Sequence, residues 1–349
     1  MSGFVDLRSD TVTRPTAAMY QAMVRAPVGD DILGEDPTVN ALQERIAGVL
    51  GFEAALFVTS GTQGNLCAIL AHCGRGDEYI VGQMAHCYRW EGGGAAALGG
   101  VQPQPIEHEG DGTLSLHRIA EAIKPQGNEH FAITRLLVLE NTHCGAVMPE
   151  SHLRDATGLA RRHGLSTHLD GARLFNAAVA QAACSGRSPE AEARRIAGHF
   201  DSVSVCFSKG LGAPAGSAIC GSSAFIARAR RIRKMAGGAM RQSGVMAAAA
   251  LHALNHHIPR LAEDHRRATR LYEGLRGIPG IAAEPPDTNI VFVELNGQPR
   301  GDWNGLIGRL RDKGILASAQ YGRLRLVTHL EVDDEGVERA IGALREILL

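Results

Sequence analysis

Lys209 is the only charged residue between Asp201 and Arg228, set in the small and apolar run VCFSKGLGAPAG. Burying an unpaired ammonium is costly unless the group is paired, neutralised or consumed in a bond. Two readings of this lysine follow. It snorkels from a strand end into water, or it is desolvated, with a lowered pKa and a nucleophilic amine able to form a Schiff base. Other short stretches offer matching chemistry. SGTQGN puts Gly61 and Thr62 where a glycine turn opens a helix; free backbone N–H groups and the helix dipole hold a phosphate there, unless the turn is only a cap. LDGAR puts Asp170 after an apolar run, as a helix cap or as the partner of a protonated heterocyclic nitrogen, and Arg173 follows as a ligand for a carboxylate or phenolate. ENTHCG and AHCYRWE supply His143 and His86, each a structural or a catalytic imidazole. A phosphate cradle, an acid for a pyridinium, an arginine and an isolated lysine, in that chain order, are the set that pyridoxal phosphate requires.

These groups meet only if strand ends bring them together. Apolar runs recur at AALFV, EYIVG (78–82), VQPQPI (101–106), RLLVLEN (135–141), LSTHLDG (165–171), SVSVCF (202–207) and GSAICG (216–221). Helical patterns such as SHLRDATGLARRHG separate most of them. Strands alternating with helices predict an α/β fold, a mostly parallel sheet covered on both faces. Ligands then bind in the crevice at the carboxyl ends of the strands. Upstream, Pro15 is expected to open a helix through Ala26, and Val39, Leu42, Ile46 and Val49 share one helical face. From Ser243 a long helical stretch is expected through Leu275, followed by the strand NIVFVEL, a helix from Trp303, the strand RLRLVTHL and a closing helix. We therefore expect a large domain with an N-terminal arm over 1–242, and linking helices with a small α+β domain over 243–349.

The remaining composition narrows the function classes. A chain of 349 residues with 44% hydrophobic and 21% charged residues is that of a globular protein, and a net charge of -1 gives no pull toward nucleic acid or an anionic membrane. No run reaches the length of a membrane span. The 7 cysteines form no C-x-x-C pair, and the 15 histidines show no HExxH spacing, so a disulfide framework and a metal centre are not expected. No basic-then-apolar leader precedes DLRSD, so a reducing cytoplasm is the expected location. EGGGAAALGG does not fit G-x-G-x-x-G at a strand-to-helix junction, which gives a dinucleotide fold little support.

DLRSDTVTRP, APVGDD, SGTQGNL, EYIVGQ, ENTH, HLDGAR, SKGLG, MRQSG and RLVTHL occur in one order over nearly the whole chain, and in this the sequence resembles the L-threonine aldolases of the fold-type I, aspartate-aminotransferase-like group. The resemblance implies a large domain with a mainly parallel seven-stranded sheet, a small C-terminal domain, and a homotetramer with active sites at dimer interfaces. It also implies reversible, pyridoxal-phosphate-dependent retro-aldol cleavage of L-threonine, L-allo-threonine and related β-hydroxy-α-amino acids to glycine and an aldehyde. By the same resemblance Lys209 carries the cofactor, Asp170 pairs with its ring nitrogen, His86 stacks on the ring, and Gly61 and Thr62 form the phosphate cup. Ser9, Arg173 and Arg325 bind the substrate carboxylate, and Arg241 reaches the cofactor region of a neighbouring subunit. His86 and His143 are both candidates for the base. Leu33 stands where many relatives have tyrosine, Cys87 and Cys144 where asparagine is common, and Trp90 where a smaller aromatic often sits; these bear on substrate scope and stereopreference. Trp90 is either a wall of the aldehyde pocket or an interface residue. The competing readings are another activity on the same scaffold (β-elimination, transamination or hydroxymethyl transfer), a cofactor-binding protein without turnover, and a subunit whose lysine is only structural.

Overall fold

The computed structural model describes residues 3–295 and 303–349. The chain opens with β1 (Val5–Asp6), then α1 (Ala17–Arg25), α2 (Pro37–Leu50), β2 (Ala54–Val58), α3 (Gly61–His72), β3 (Asp77–Gly82), the short α4 (His86–Arg89) and α5 (Gly94–Gly99), and β4 (Gln102–Ile106). It continues through α6 (Leu116–Ala122), β5 (Ile133–Glu140), α7 (Glu150–Arg162), β6 (Ser166–Gly171), α8 (Leu174–Ser185), α9 (Pro189–Ala197), β7 (Ser202–Cys206), β8 (Ser217–Gly221) and α10 (Ser223–Met235). After α11 (Gly244–His256) and α12 (Leu261–Leu275) come β9 (Ile281–Ala283), β10 (Ile290–Leu295), α13 (Trp303–Asp312), β11 (Ile315–Leu316), β12 (Ser318–Gln320), β13 (Arg323–Val327) and α14 (Asp334–Leu348).

The seven apolar runs form one sheet in the order β2-β8-β7-β6-β5-β3-β4. All neighbours are parallel except β8, which runs antiparallel to both β2 and β7. β7 and β8 are buried at every residue, as strands covered on both faces should be, with the buried hydroxyls of Ser202 and Ser204 bonded to His168 and Asn65. The second sheet, β12-β13-β10-β9, is antiparallel throughout.

Local chemistry sets the helix ends. Pro37 occupies the first turn of α2, the Asp36 carboxylate accepts from the N–H of Thr38 (3.1 Å) and Val39 (3.0 Å), and Gly51 closes the helix in the left-handed region (φ 80°). Two helical expectations are corrected. The first helix starts at Ala17 because the Thr16 hydroxyl caps it, leaving Pro15 outside. The long stretch from Ser243 is broken between α11 and α12, where Pro259 lacks the N–H needed to continue the ladder.

Among the described residues there are four apolar clusters, and the two largest are the main cores. One lies around the large sheet and reaches along the chain to Leu261; the other runs from Ala268 onward and also takes in Val5 and Leu7. β1 pairs with β11, Val5 opposite Ile315, so the N-terminal arm is anchored in the C-terminal core before it crosses to the large sheet. That crossing lays residues 8–12 along the seam between the cores. Among the described residues no helix is long and apolar enough to cross a membrane.

Candidate active site

At the carboxyl end of β6 the Asp170 carboxylate is buried and doubly held. Its Oδ1 accepts from the Ala172 N–H at 3.1 Å and its Oδ2 from Asn65 Nδ2 at 2.8 Å. Asn65, on the second turn of α3, also donates to Glu91 Oε1 (2.9 Å) and accepts from the Ser204 hydroxyl (2.8 Å). Glu91 in turn bonds His86 Nδ1 at 2.8 Å, and the His86 N–H donates to Glu140 Oε2 at 3.0 Å. Burial raises the Glu91 carboxyl above its usual range, and the bond to Glu91 raises the His86 imidazole. Ligand atoms of His86, Glu91 and Asp170 lie within 4.8 Å of one another, a spacing a metal ion would also accept. Their links through Asn65 already account for the convergence.

Ser60 caps α3 by accepting from the Gln63 N–H at 3.2 Å, so the N–H groups of Gly61 and Thr62 have no intrahelical acceptor. A side chain at Gly61 would put its Cβ 2.7 Å from Cys206 Sγ, so this first helical position tolerates only glycine. Lys209 follows β7 by three residues, half-buried, in a turn closed by the Gly212 N–H to its carbonyl (2.8 Å). Its charge helps to hold Asp10 ionised and opposes protonation of His86.

Asp10 lies fully buried at the seam and takes two bonds from Arg173, Nε at 2.8 Å and Nη2 at 2.6 Å. Burial alone would raise this carboxyl, but Arg173, Lys209 and Arg325 outweigh it and hold it far below the usual carboxylate range. Arg325, from β13, donates to the Arg8 carbonyl at 2.9 Å. Burial and the nearby Arg173 charge push its guanidinium down, the mark of cations crowded without enough anions. Ser9 is half-buried beside them, its hydroxyl accepting from the Thr11 N–H at 3.2 Å.

His143 is buried beyond the end of β5, stacked on His108 with ring centres 4.0 Å apart and with Nδ1 3.7 Å from Glu140 Oε2. Burial disfavours its proton, but the contact with Cys144 and the nearby Glu140 carboxylate prevail and carry its pKa up to about 10. A cavity of about 670 Å³ opens here, lined by His143, Cys144, Tyr321 and Phe292 among others. Trp90, 49% exposed, ends the α4 turn, its N–H bonded to the His86 carbonyl at 2.9 Å and its Nε1 to the Tyr321 hydroxyl at 3.1 Å.

Electrostatic interactions thus tie Lys209 to Asp10 and His86, His86 to Asp170, and Arg173 and Arg325 to Asp10, with Ser9 next to Asp10 and Gly61, which precedes Thr62, against Cys206 at the end of β7, while His143 and Tyr321, the partner of Trp90, line the cavity. Arg241 stands apart: its side chain is 61% exposed and pairs with Asp30 at 2.7 Å. Sequence reasoning passed over Asp10, Asn65, Glu91 and Tyr321. Glu91 hid at the head of a glycine-rich tract, and Asn65 lies one helical turn beyond Gly61, a spacing that could have flagged it.

A mainly parallel sheet with ligand groups at its carboxyl ends, joined to a small antiparallel domain that completes the site, defines the fold-type I class. The model of the family described as "Beta-eliminating lyase" matches residues 6–298. The low specificity L-threonine aldolase of Escherichia coli (strain K12) is 48% identical over 347 residues, 99% of each chain. The chain belongs to the low-specificity L-threonine aldolases within the β-eliminating lyase family. Among solved structures, the threonine aldolase of Leishmania major superposes with a TM-score of 0.81 at 23% identity, covering 99% of each chain. SPT with a PLP internal aldimine superposes at 0.73 and 19% identity over 98% of this chain and 87% of that one; at such identities these two establish the fold alone.

Proposed function

We propose that this chain binds pyridoxal 5'-phosphate and cleaves L-threonine, L-allo-threonine and related β-hydroxy-α-amino acids reversibly to glycine and an aldehyde. The observation that carries the reading is the convergence on one crevice of a half-buried lysine, a doubly held buried aspartate and an open helix N-terminus whose first residue has no room for a side chain. That donor set fits the cofactor. Lys209 is the amine that would hold its aldehyde, Asp170 the carboxylate for its ring nitrogen, His86 the flanking ring, and the Gly61 and Thr62 N–H groups the phosphate ligands. Bound there, the cofactor supplies an electron sink for the pair left on Cα when a bond to that carbon breaks.

The protein's own groups choose the bond. Arg173 and Arg325, with Ser9, fix the substrate carboxylate, and Asp10 fixes Arg173 before any substrate arrives. A carboxylate anchored between two guanidiniums limits rotation about Cα, so the Cα–Cβ bond is presented for cleavage. The β-hydroxyl proton must leave as that bond opens. His86 suits this step, directly or through water: Glu91 holds its Nδ1 and stabilises the imidazolium that forms on proton uptake. His143 is held protonated near neutral pH and therefore donates rather than accepts.

The relatives named for threonine cleavage support the substrate class. Purified protein incubated with L-threonine, L-allo-threonine and D-threonine should release glycine and aldehyde in equal amounts from the two L-isomers. A keto acid with ammonia, or no aldehyde at all, would replace the aldolase reading with another family activity. We further infer a homotetramer with sites at dimer interfaces. Its support is Arg241, whose side chain is 61% exposed in the single chain. Light scattering on the eluting protein tests it, and a monomer would remove Arg241 from the site.

A further inference from the structure

Cys144 Sγ lies 3.7 Å from His143 Nε2, and the other ring nitrogen of His143 lies 3.7 Å from the Glu140 carboxylate. Thiol, imidazole and carboxylate in series are the arrangement that activates a nucleophile. His143 is 92% buried by its 8% exposure, and its Nδ1 makes no conventional hydrogen bond, so Glu140 acts on it through charge. Around the thiol stand Tyr321 and Arg325, both near enough to feel its charge, while His108 is stacked on the His143 ring. Cys144 holds φ at 52°, a left-handed conformation that asparagine tolerates better, so backbone geometry gives no reason for a cysteine here. Cys67, Cys73, Cys87, Cys206 and Cys220 are buried and Cys184 is exposed; Cys144 alone joins partial exposure to an imidazole partner and a cavity wall.

We propose that Cys144, activated by His143, is a reactive thiol site for small aldehydes, capturing the aldehyde released at the neighbouring centre as a reversible hemithioacetal. The identity of the captured product rests on the aldolase reading above. In the step, the sulfur lone pair attacks the carbonyl carbon and a C–S bond forms. The C=O π pair moves to oxygen, which takes a proton from the His143 imidazolium. The S–H proton passes to the imidazole in its place, so the ring ends as it began, and the reverse returns thiol, imidazolium and free aldehyde, with no oxidant or reductant. An aldehyde held there occupies the space beside Arg325, so rising product slows further turnover at its source.

The test uses the full-length holoenzyme and iodoacetamide, with labelling of each cysteine followed by peptide mass. At about pH 6, Cys144 should be alkylated at least about tenfold faster than the exposed Cys184, which serves as internal reference. Acetaldehyde should slow labelling of Cys144 and leave Cys184 unchanged, while acetone, of similar size but a poor thiol acceptor, should protect neither. His143→Gln and, independently, Glu140→Gln should bring the Cys144 rate toward that of Cys184. Cys144→Asn, suited to the left-handed backbone, should fold and lose aldehyde-dependent slowing of turnover. A Cys144 rate no greater than that of Cys184, or equal protection by acetone, overturns the proposal. Because the aldehyde is added from outside, loss of threonine cleavage with protection intact removes the proposed function and leaves the thiol site standing.

Discussion

The two walls of the crevice are built on opposite plans. On the wall formed by α3 and the ends of β6 and β7, Asp170, Asn65, Glu91 and His86 satisfy one another in an unbroken chain of bonds of 2.8 to 2.9 Å. At the seam with the small domain, Arg173, Arg325 and Lys209 converge on Asp10 as their shared carboxylate. Buried polar atoms without a partner gather nearby among the described residues: Asn141 Nδ2, Thr142 Oγ1, His143 Nδ1 and Asn289 Oδ1. A preorganised network stabilises charge without reorganising during reaction, whereas an excess of cations recruits an anion. On the function proposed above, the first wall would hold a resident group and the second a visiting carboxylate. Substitutions on the two walls should therefore fail in different ways.

The sharpest break comes at the junction of the walls. Lys209→Ala removes the only amine in the crevice among the described residues, and turnover should fall by about 1000-fold or more. Circular dichroism should stay native, because among the described residues the side chain has no hydrogen-bond or ion-pair partner. Absorbance at the visible edge that vanishes on borohydride in the parent protein should be missing from the variant. A variant with near-parental turnover would make Lys209 a snorkelling surface group and dissolve the distinction between the walls.

Arg325→Ala probes the seam alone. Losing a charge-assisted bond to the substrate carboxylate should raise KM by about 10- to 100-fold, with a smaller effect on kcat. Cofactor affinity, measured by equilibrium dialysis, should remain parental, since the cofactor-side bonds do not involve β13. An equal loss of cofactor binding would show that the seam and the resident-group wall act as one unit.

How much of each wall was legible in the sequence follows from the same contrast. All seven strands of the large sheet were readable, the inner ones because a strand covered on both faces is rich in apolar and small residues, although the edge strand β4 is largely unburied, and the residues at their ends could be numbered directly. Lys209 and Asp170 stood out by being polar at the end of such runs. The break at Pro259 was missed because the helical periodicity resumes on its far side. Asp10 and Glu91 were passed over because their partners, Arg173 and Asn65, are 163 and 26 residues away in the chain. The parallel β1–β11 pairing that carries Asp10 into the seam leaves no local pattern, since each strand is two residues long.

Glu91→Gln makes a smaller change, on the satisfied wall. The Glu91 carboxylate raises the His86 pKa in the folded protein. A raised folded-state pKa contributes stability that is full below the unfolded imidazole pKa and is lost as pH rises through the folded value. The amide removes that contribution, so the variant should be less stable than the parent on the acid side and approach it at higher pH, apart from any change in the hydrogen bond itself. The acid limb of the rate–pH profile should move to lower pH, because the imidazole is freed of its proton sooner. NMR titration of the His86 ring gives a readout independent of turnover; an unchanged ring pKa would reduce Glu91 to a structural bridge between α3 and the α4 turn.

The smallest effect is expected at the rim, where the two walls touch. The Trp90 indole leaves the α4 turn on the large-domain side, and its Nε1 bonds to Tyr321 of the small domain at 3.1 Å, while Arg89 lies 5.7 Å from the Trp90 ring centre and 6.0 Å from the Tyr321 ring centre. Tyr321 lines the cavity beside His143, and on the function proposed above an indole seated on Tyr321 would narrow the path of a bulky aldehyde. Trp90→Ala should widen that path at a modest cost in stability, because the ring is 49% exposed and its single hydrogen bond is worth about 1 kcal/mol. The rate with L-β-phenylserine relative to L-threonine should then rise by about two- to fivefold, within the range a change of pocket size produces. If the ratio holds steady while the assembly dissociates in gel filtration, the indole belongs to a subunit contact. Selection of the aldehyde would then fall to the His143, Cys144 and Phe292 side of the cavity.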